Sequence, residues 1–514
     1  MDVDVLRAWI ERAVTDLGRH RSLLDEANVF PVADSDTGTN LYLTLLEARR
    51  RVRALPDNAT AGEVAAAAAR GALVGARGNS GVIVGQYLGA LWRALLEEPG
   101  AGLRQALASA ARAATAAVAT PVPGTVLTVA DQVATGAAGT HDGAFPGLEA
   151  QEELDLLEVA LDAGWEAVDQ TPDQLDALRL AGVVDAGAVG LLIVLEALLH
   201  VAGRPRDRVV SLTRPTGEGH PQQDRAAHEV DGACTHAPDD GEFEVMALLA
   251  EGPGGAATDA TDHLCHALVQ VGVSVAVVSQ AGLWQTHVHT DHPGVAVRAL
   301  HDAAAHGLAT DHLVVRDLAR QSGVHSPPHR PALGLVAVTC AVGLAPDLAR
   351  AGAVVVLTPD DRDVTAPVAR AVADTGAEDV LVLASAGTLT PGPPPADVRV
   401  HLMPGLDDLQ LVAAAQRLVE CGHAGHGAAE LLAHAREAAD LVRSTHLAPG
   451  DDPASALREL LDGRGEAVTV LTHHETPPAL VEAARQAVHL VRPDLEVVVL
   501  DGGAPGTGVG VSAG

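Results

Sequence analysis

The first 203 or so residues carry one repeating feature: amphipathic helical patterns rich in alanine and leucine, separated by short loops of Gly, Pro, Asp and Thr. No stretch of this region alternates apolar and polar residues convincingly, as a half-buried strand would. Apolar residues that recur every three to four positions favour helices that bury one face against each other. The sequence therefore predicts an all-α domain over residues 1–203.

Four loops of this region are small and polar and stand directly before a helical pattern. They are Ala33-Asp34-Ser35-Asp36, Gly78-Asn79-Ser80-Gly81, Gly124-Thr125-Val126-Leu127-Thr128 and Val184-Asp185-Ala186-Gly187. Asp34, Asn79 and Gly124 are 45 residues apart, and Asp185 follows 61 residues after Gly124. About 18 residues of helix plus a short loop take roughly 22 residues, so this interval fits one helix up and one helix down. We therefore expect the loops at one end of a bundle, with four unrelated helix caps as the alternative.

The residue types of these loops indicate a phosphate ligand carried with a metal ion. Asp34 and Asp36 offer hard carboxylate oxygens that suit Mg²⁺, and Asn28 could reach the same ion directly or through water. Helix N-termini favour anions, so loop hydroxyl and backbone N–H groups should hold nucleotide phosphates. The nucleotide-binding candidates are Thr37, Gly38, Thr39, Asn40, Gly78, Asn79, Ser80, Gly81, Gly124, Thr125, Thr128, Asp185, Ala186 and Gly187.

Three side chains are the candidates for catalysis. Asp34 and Asp36 would hold Mg²⁺ on the phosphates, and Arg77, the arginine immediately beside the loops, could neutralise charge as phosphoryl transfers. An ordinary Asp/Thr helix cap and a surface arginine are the simpler alternatives. Asp185 could close over the nucleoside.

Composition limits the classes of partner. The formal net charge is −33, and all basic side chains other than histidine are arginine, so the chain repels nucleic acid and anionic membranes and lacks the lysine of a Walker-type P-loop. The four cysteines are scattered without paired spacing, which indicates a reducing compartment. The acidic N-terminus does not resemble a signal peptide, and the most apolar helical stretch is too short to span a bilayer. We expect a cytoplasmic protein.

The pattern changes after the helical region. Residues 204–241 predict a polar linker, and residues 242–325 mix strand and helix patterns, which favours a small α+β domain. From residue 331 to 514, short Val/Leu runs alternate with helical patterns, which is typical of an α/β domain with a mostly parallel sheet. The glycine-rich tail from Gly502 is predicted to be a terminal loop.

Four motifs carry a resemblance to a known family: Asn28-Val-Phe-Pro-Val-Ala-Asp-Ser-Asp-Thr-Gly-Thr-Asn40, Ala76-Arg-Gly-Asn-Ser-Gly-Val-Ile83, Gly124-Thr-Val-Leu-Thr-Val129 and Val183-Val-Asp-Ala-Gly187. They resemble the DhaL-type domain of dihydroxyacetone kinases and, more closely, the FakA (YloV-like) family, the ATP-binding subunit of bacterial fatty acid kinase. The resemblance implies a DhaL-type helical barrel with ATP and Mg²⁺ at one end, and a DegV-like C-terminal α/β domain. It also implies a DegV-like, fatty-acid-binding partner of the FakB type, and we expect a homodimer.

The chain departs from the family motifs at two loops. The family's Pro-Asp-Gly-Asp is Ala33-Asp34-Ser35-Asp36 here, which loses backbone freedom and keeps both carboxylates. The family's Asp-Ala-Gly-Gly is Asp185-Ala-Gly-Ala188, which could stiffen the cap over the nucleoside.

A histidine pair in the central region is a second candidate metal site. His287 and His289 alternate on an expected strand, so both project to one face, although a solvated strand face is the alternative in a chain with 24 histidines. Some family members pair this motif with an upstream cysteine in a zinc-like site, and Glu244 stands at that place here. A His/His/Glu set remains a feasible Zn²⁺ site, with Asp291 as a further candidate.

Three functions remain open at the level of sequence. The first is a Mg-ATP-dependent kinase subunit that phosphorylates a fatty acid carboxylate to an acyl phosphate. It is favoured because a carboxylate needs no base and no histidine lies in the four loops. The second is a glycerone (dihydroxyacetone)-type kinase acting on another small substrate. The third is a nucleotide-sensing scaffold without turnover.

Overall fold

The computed structural model describes residues 2–97, 102–138, 150–206, 208, 210–213, 241–321, 332–358, 363–385, 398–422, 426–462, 467–504 and 506–513. Most of the linker expected at 204–241, and Cys234 within it, lie outside the described residues. Among the described residues, none of the helices has both the length and the apolar character needed to cross a bilayer.

The described part of the N-terminal region is helical, as predicted. Its helices are α1 (Val3–Glu26), α2 (Thr37–Arg53), α3 (Ala61–Gly75), α4 (Gly78–Glu97), α5 (Leu103–Ala116), α6 (Val126–Ala138), α7 (Ala150–Gln174), α8 (Asp176–Ala181) and α9 (Ala186–Val201). Helix α9 is apolar almost all round and is buried along most of its length. It packs against α1, where the Trp9 indole donates to the Val194 carbonyl at 2.7 Å. The bundle core therefore forms around α9.

The four polar loops precede α2, α4, α6 and α9. In the first three cases every second helix begins at such a loop, which is the alternation that the 45-residue interval predicts. The 25-residue α7 and the short α8, which lies between α7 and α9, together lengthen the last interval. These helices consequently begin at the same end of the bundle.

The rest of the chain is built on two sheets. The strands are β1 (Phe243–Glu251), β2 (Val273–Gln280), β3 (Leu283–Thr290), β4 (Leu308–Asp317), β5 (Gly334–Thr339), β6 (Ala353–Leu357), β7 (Asp379–Ala384), β8 (Arg399–Met403), β9 (Arg443–Leu447), β10 (Ala467–His473), β11 (Glu496–Ala504) and β12 (Val509–Ala513). The helices are α10 (Ala260–Val269), α11 (Pro293–Asp302), α12 (Leu318–Gln321), α13 (Ala345–Arg350), α14 (Thr365–Asp374), α15 (Asp408–Gly422), α16 (Ala428–Leu441), α17 (Pro453–Leu460) and α18 (Pro478–Val491).

The larger sheet joins the two regions that the sequence predicts to be separate. Its strand order is β2-β3-β1-β4-β6-β5-β7-β8, and antiparallel pairing of Leu313 with Leu357 links β4 to β6. Strands β5, β6, β7 and β8 pair in parallel, as expected for the C-terminal α/β region. The central α+β and C-terminal α/β regions are therefore parts of one continuous sheet.

The smaller sheet corrects two expectations about the C-terminal region. It has the order β11-β10-β12-β9, so β10 and β11 do not extend the parallel sheet. The prediction of a loop from Gly502 is wrong, because β11 continues to Ala504 and the chain returns as β12. The tail pairs through backbone groups between neighbouring strands, which a glycine-rich sequence does not reveal.

The helical bundle packs directly on the larger sheet. Apolar side chains of α3 and α4, among them Leu73, Val74 and Val82, form a buried cluster with Met246 and Leu248 of β1 and with residues of β2 and β3. Backbone hydrogen bonds add to this contact, since Ala119 N–H donates to the Val275 carbonyl at 3.0 Å. The end of the bundle that carries the polar loops is thereby covered by the central region.

Candidate nucleotide and metal site

Three of the four polar loops, together with residues on either side of the first loop, line one pocket. The lining comprises Asn28 to Pro31 and Thr37 beside the first loop, Asn79 and Ser80 from the second, Thr125 to Leu127 from the third and Asp185 to Gly187 from the fourth. Ser274, at the start of β2 in the central region, completes the wall. Ser80 and Thr37 hydroxyls lie 3.3 Å apart, which joins the first two loops directly. The predicted nucleotide-binding residues that line the pocket are Thr37, Asn79, Ser80, Thr125, Asp185, Ala186 and Gly187. Those outside its lining are Gly38, Thr39, Asn40, Gly78, Gly81, Gly124 and Thr128.

Asp34 and Asp36 form a carboxylate pair at the start of α2. The Asn28 amide donates to Asp34 Oδ1. Burial, Asp36 and Glu244 raise the pKa of Asp34 well above its usual range, and burial and Glu244 raise the pKa of Asp36 to about 6. Crowded carboxylates of this kind are stabilised when a cation binds between them. Ser35 between them has φ +54°, the left-handed region in which the family motif places glycine.

The second loop requires glycine at two contacts. Gly78 has φ +53°, and a Cβ there would lie 2.4 Å from Asn40 Nδ2. A Cβ on Gly81 would lie 2.4 Å from the Thr44 hydroxyl. The backbone of α4 at Gly78 and Gly81 thus lies directly against the side chains of Asn40 and Thr44 on α2. This contact sets the distance between the first two loops.

Two candidates of the first loop contact α1 and not the pocket. Thr39 donates its N–H and hydroxyl to the Asp25 carboxylate, both at 2.8 Å, and accepts from Arg21 at 2.7 Å. A Cβ on Gly38 would lie 2.2 Å from the Arg21 carbonyl oxygen. Both residues therefore fix the start of α2 against α1 and position the carboxylate pair indirectly.

The third and fourth loops are ordered by their own hydrogen bonds. Gly124, at φ +79°, donates its N–H to the Thr128 hydroxyl at 2.9 Å, and Thr125 donates to the Val122 carbonyl at 2.8 Å. Asp185 caps α9 by accepting from Ala188 N–H at 2.7 Å. Burial nevertheless raises the pKa of Asp185 to about 6, since these hydrogen bonds offset only part of the desolvation.

The central histidine pair lies beside the first loop. His287 and His289 of β3 face Glu244 of β1, and one ligand atom from each of the three residues lies within 4.8 Å of the others. All three are buried, and His287 Nε2 is 3.1 Å from Glu244 Oε1. Burial would raise the pKa of Glu244, but His287, Arg316 and His289 together lower it to about 2. The charge of Glu244 raises the pKa of both Asp34 and Asp36, so the two candidate metal sites adjoin each other.

Arg77 is not the surface arginine that the simpler alternative expects. It is buried and does not line the pocket; its Nε donates to Asp374 at 2.7 Å and its Nη1 donates to the Gly75 carbonyl at 2.8 Å.

A second arginine, Arg316 of β4, is also buried. Burial would lower its pKa, but Asp374, Glu244, Asp36 and Asp34 raise it. Arg316 and Asp374 carry no local sequence signal, because both lie outside the motifs. They meet only through the packing of β4 and α14. Asp291, the further zinc candidate, instead accepts from Glu242 N–H at 2.9 Å.

Comparisons with known proteins agree with this arrangement. Residues 31–200 match the DAK2 domain, and residues 240–321 match the middle domain of the FakA-like family of fatty acid kinase subunits. An uncharacterized protein of Staphylococcus epidermidis is 32% identical over 297 residues, which are 55% of this chain and 50% of that relative. These matches support a FakA-type family protein with an N-terminal DhaL-like domain. The matched domains are those of a kinase family.

Further similarities of the chain are partial. A Staphylococcus aureus protein is 30% identical over 295 residues, again 55% of this chain and 50% of the relative. The chain thus spans about half the length of the curated relatives it matches. Among solved structures, the dihydroxyacetone kinase of C. freundii covers 38% of the chain at 22% identity, with 34% of that kinase covered and a TM-score of 0.29. A DegV family protein of Corynebacterium glutamicum covers 36% at 16% identity, with 98% of that protein covered and a TM-score of 0.26. Both structural likenesses are therefore distant.

Proposed function

We propose that this FakA-type chain is a Mg-ATP-dependent kinase subunit that transfers phosphate to a fatty acid carboxylate. The observation that carries the proposal is the convergence of three helix-opening loops and the residues flanking the first loop on one pocket, with Asp34 and Asp36 beside it. Helix N-termini and hydroxyl groups suit phosphate, and paired carboxylates suit the accompanying Mg²⁺. Phosphoryl transfer depends mainly on such positioning and charge neutralisation.

The choice of acceptor depends on the available bases. His287, which lies in the metal cluster beside the first loop, is not an open base, because its Nδ1 is 3.0 Å from the Ser274 carbonyl and its Nε2 contacts Glu244. An alcohol acceptor would need a base to take its proton, whereas a fatty acid is already ionised at neutral pH. With His287 engaged, we propose a carboxylate acceptor, presented by a DegV-like partner, rather than a hydroxyketone, whose proton would have to pass to a carboxylate such as Asp185.

We also propose that Glu244, His287 and His289 hold a Zn²⁺ ion. Two imidazoles and one carboxylate are a known ligand set for zinc, and their buried, mutually close ligand atoms fit it. Bound zinc would supply positive charge beside Asp34 and Asp36. With both rings engaged, neither would serve as a general base, which agrees with the choice of a carboxylate acceptor.

The test of the kinase is product formation with defined acceptors. The purified chain is incubated with labelled Mg-ATP, a fatty acid and a DegV-like fatty-acid-binding protein, and acyl phosphate is trapped with hydroxylamine as the hydroxamate. Parallel reactions contain dihydroxyacetone or no acceptor. We expect hydroxamate and ADP only with the fatty acid and partner present. Phosphorylated dihydroxyacetone would identify the second kinase, and Mg-ATP binding without ADP in any reaction would indicate a scaffold.

Matched variants test the site itself. Asp34→Asn combined with Asp36→Asn should abolish turnover and Mg-dependent nucleotide binding, because the carboxylates that hold the ion lose their charge. Asp57→Asn, at an exposed position of the same domain, removes one charge and should change neither. Activity that survives in the double variant would show that the metal is held elsewhere.

A further inference from the structure

One carboxylate of the C-terminal region is shared by arginines from two other parts of the molecule. Asp374 is the last residue of α14, and its side chain is only 4% exposed. Its Oδ1 accepts from Arg77 Nε at 2.7 Å, and its Oδ2 accepts from Arg316 Nη2. Arg77 stands before α4 in the helical bundle, and Arg316 lies on β4 in the central region. Asp374 therefore ties three parts of the fold together at one buried point.

The two arginines connect this point to the candidate site. Arg316 Nη1 lies 3.5 Å from Glu244 Oε2, and Glu244 Oε1 contacts His287. Arg77 directly precedes the loop Gly78 to Gly81, whose Asn79 and Ser80 line the pocket. The Arg316 guanidinium thus borders the metal region, whereas Arg77 adjoins the second loop through its backbone, and each guanidinium has donors committed to Asp374.

A guanidinium group has five donors in a fixed plane, so its orientation is set once two of them are engaged. Arg77 uses Nε for Asp374 and Nη1 for the Gly75 carbonyl. Without Asp374, Arg77 and Arg316 would keep their charge and lose the contact that fixes their planes. Arg77 would keep its bonds to the Gly75 and Ala76 carbonyls and Arg316 its contact with Glu244, so both charges would remain but their orientation would no longer be fixed for transfer.

We propose that Asp374 is a positioning residue through which the C-terminal region sets the orientation of Arg77 and Arg316 at the nucleotide site. This inference rests on the proposed kinase function. It adds that docking of α14 is required for productive transfer, and that the negative charge of Asp374 lowers nucleotide affinity. A partner that moves α14 would consequently alter turnover and nucleotide binding in opposite directions.

The test separates affinity from turnover in the full-length chain. Asp374→Asn should tighten binding of Mg²⁺ with a non-hydrolysable ATP analogue by roughly tenfold, because a negative charge that repels the phosphates is removed. Its kcat should fall by roughly 10- to 100-fold, because misplaced charge-stabilising groups cost that much in enzymes. Asp374→Glu keeps the charge and should recover part of kcat and the original affinity.

The control is Asp379→Asn. Asp379 is also in the C-terminal region and pairs with an arginine, but its partners, Arg399 and His401, lie on the neighbouring strand β8. This variant should leave both affinity and kcat unchanged. If Asp374→Asn behaves like the control, or loses affinity, kcat and thermal stability together, Asp374 has no positioning role.

Two further outcomes are decisive. If Asp374→Asn does not fold, the same comparison is made with Asp374→Glu, and an unaltered ratio of kcat to nucleotide affinity would overturn the proposal. Binding of the analogue is measured calorimetrically and does not need turnover. Failure of the kinase reaction in the wild type would therefore be seen separately from the absence of an Asp374 effect on binding.

Discussion

Replacing Asp185 by asparagine should stabilise the ligand-free protein at neutral pH. Asp185 is 7% exposed, and burial raises its pKa from 3.8 to about 6. A folded-state pKa above the unfolded one means that this group contributes stability below pH 4 and that the contribution is lost as the pH rises through about 6. Above about pH 6, the ionised carboxylate therefore lowers the free energy of unfolding by about 3 kcal/mol.

Asparagine keeps the structural role of this residue. Its side-chain oxygen can accept from Ala188 N–H and cap α9 as aspartate does, so the cap is not lost. We expect Asp185→Asn to raise the free energy of unfolding by up to about 3 kcal/mol at pH 8 and to leave it unchanged at pH 4. Asp185→Ala removes the cap as well and should be about 1 kcal/mol less stable than the asparagine variant at both pH values.

Urea unfolding followed by tryptophan fluorescence measures this effect. Trp9, Trp92 and Trp165 lie in the helical bundle and report on it, whereas Trp284 lies on β3. Asp57→Asn, at an exposed site, serves as the control for removal of one negative charge. The reasoning is refuted if the asparagine variant is no more stable than the wild type at pH 8, or if its gain is the same at pH 4 and pH 8.

Three further predictions concern the loops and the histidine site. Ser35→Gly should stabilise the fold by about 1 kcal/mol in thermal unfolding, because glycine accepts φ +54° without the cost that serine bears; a loss of stability would contradict this. Gly38→Ala should cost about 2 kcal/mol and weaken Mg-nucleotide binding, since its Cβ would meet the Arg21 carbonyl at 2.2 Å; calorimetry that shows unchanged affinity would argue against positioning by this contact. Glu244→Gln should reduce the zinc content measured by inductively coupled plasma mass spectrometry, with Asp291→Asn as the control, and full zinc occupancy in the Glu244 variant would refute the ligand set.

The helical domain could be predicted well from the sequence because its signals are local. Amphipathic periodicity defines each helix, and small polar residues mark each helix start, as at Asp34 and Asp185. The interval between loops then follows from helix length, and one pocket lined by three of the loops and by residues beside the first is its consequence. Placement of individual side chains within the loops was less predictable, as Thr39 shows by bonding to Asp25 of α1.

The sheets show where local signals end. The strands β5 to β8 were visible as short Val/Leu runs, but β9 is largely exposed and β12 is glycine-containing, so neither has a clear apolar pattern. Which strands pair is decided by contacts between distant residues, such as Leu313 with Leu357. For that reason a boundary placed near residue 325 divides what the structure joins into one sheet.

The sequence by itself determined the kinds of secondary structure, the four loops and the residue types suited to phosphate and Mg²⁺, because these depend on neighbours along the chain. Tertiary structure alone decided that Glu244 and the histidine pair lie beside Asp34 and Asp36, and that Asp374 holds both Arg77 and Arg316. These contacts join residues as far as 297 positions apart. They depend on how the bundle and the sheets pack, and the resulting burial, which sets the pKa values and fixes the charges of the site, exists only in the folded chain.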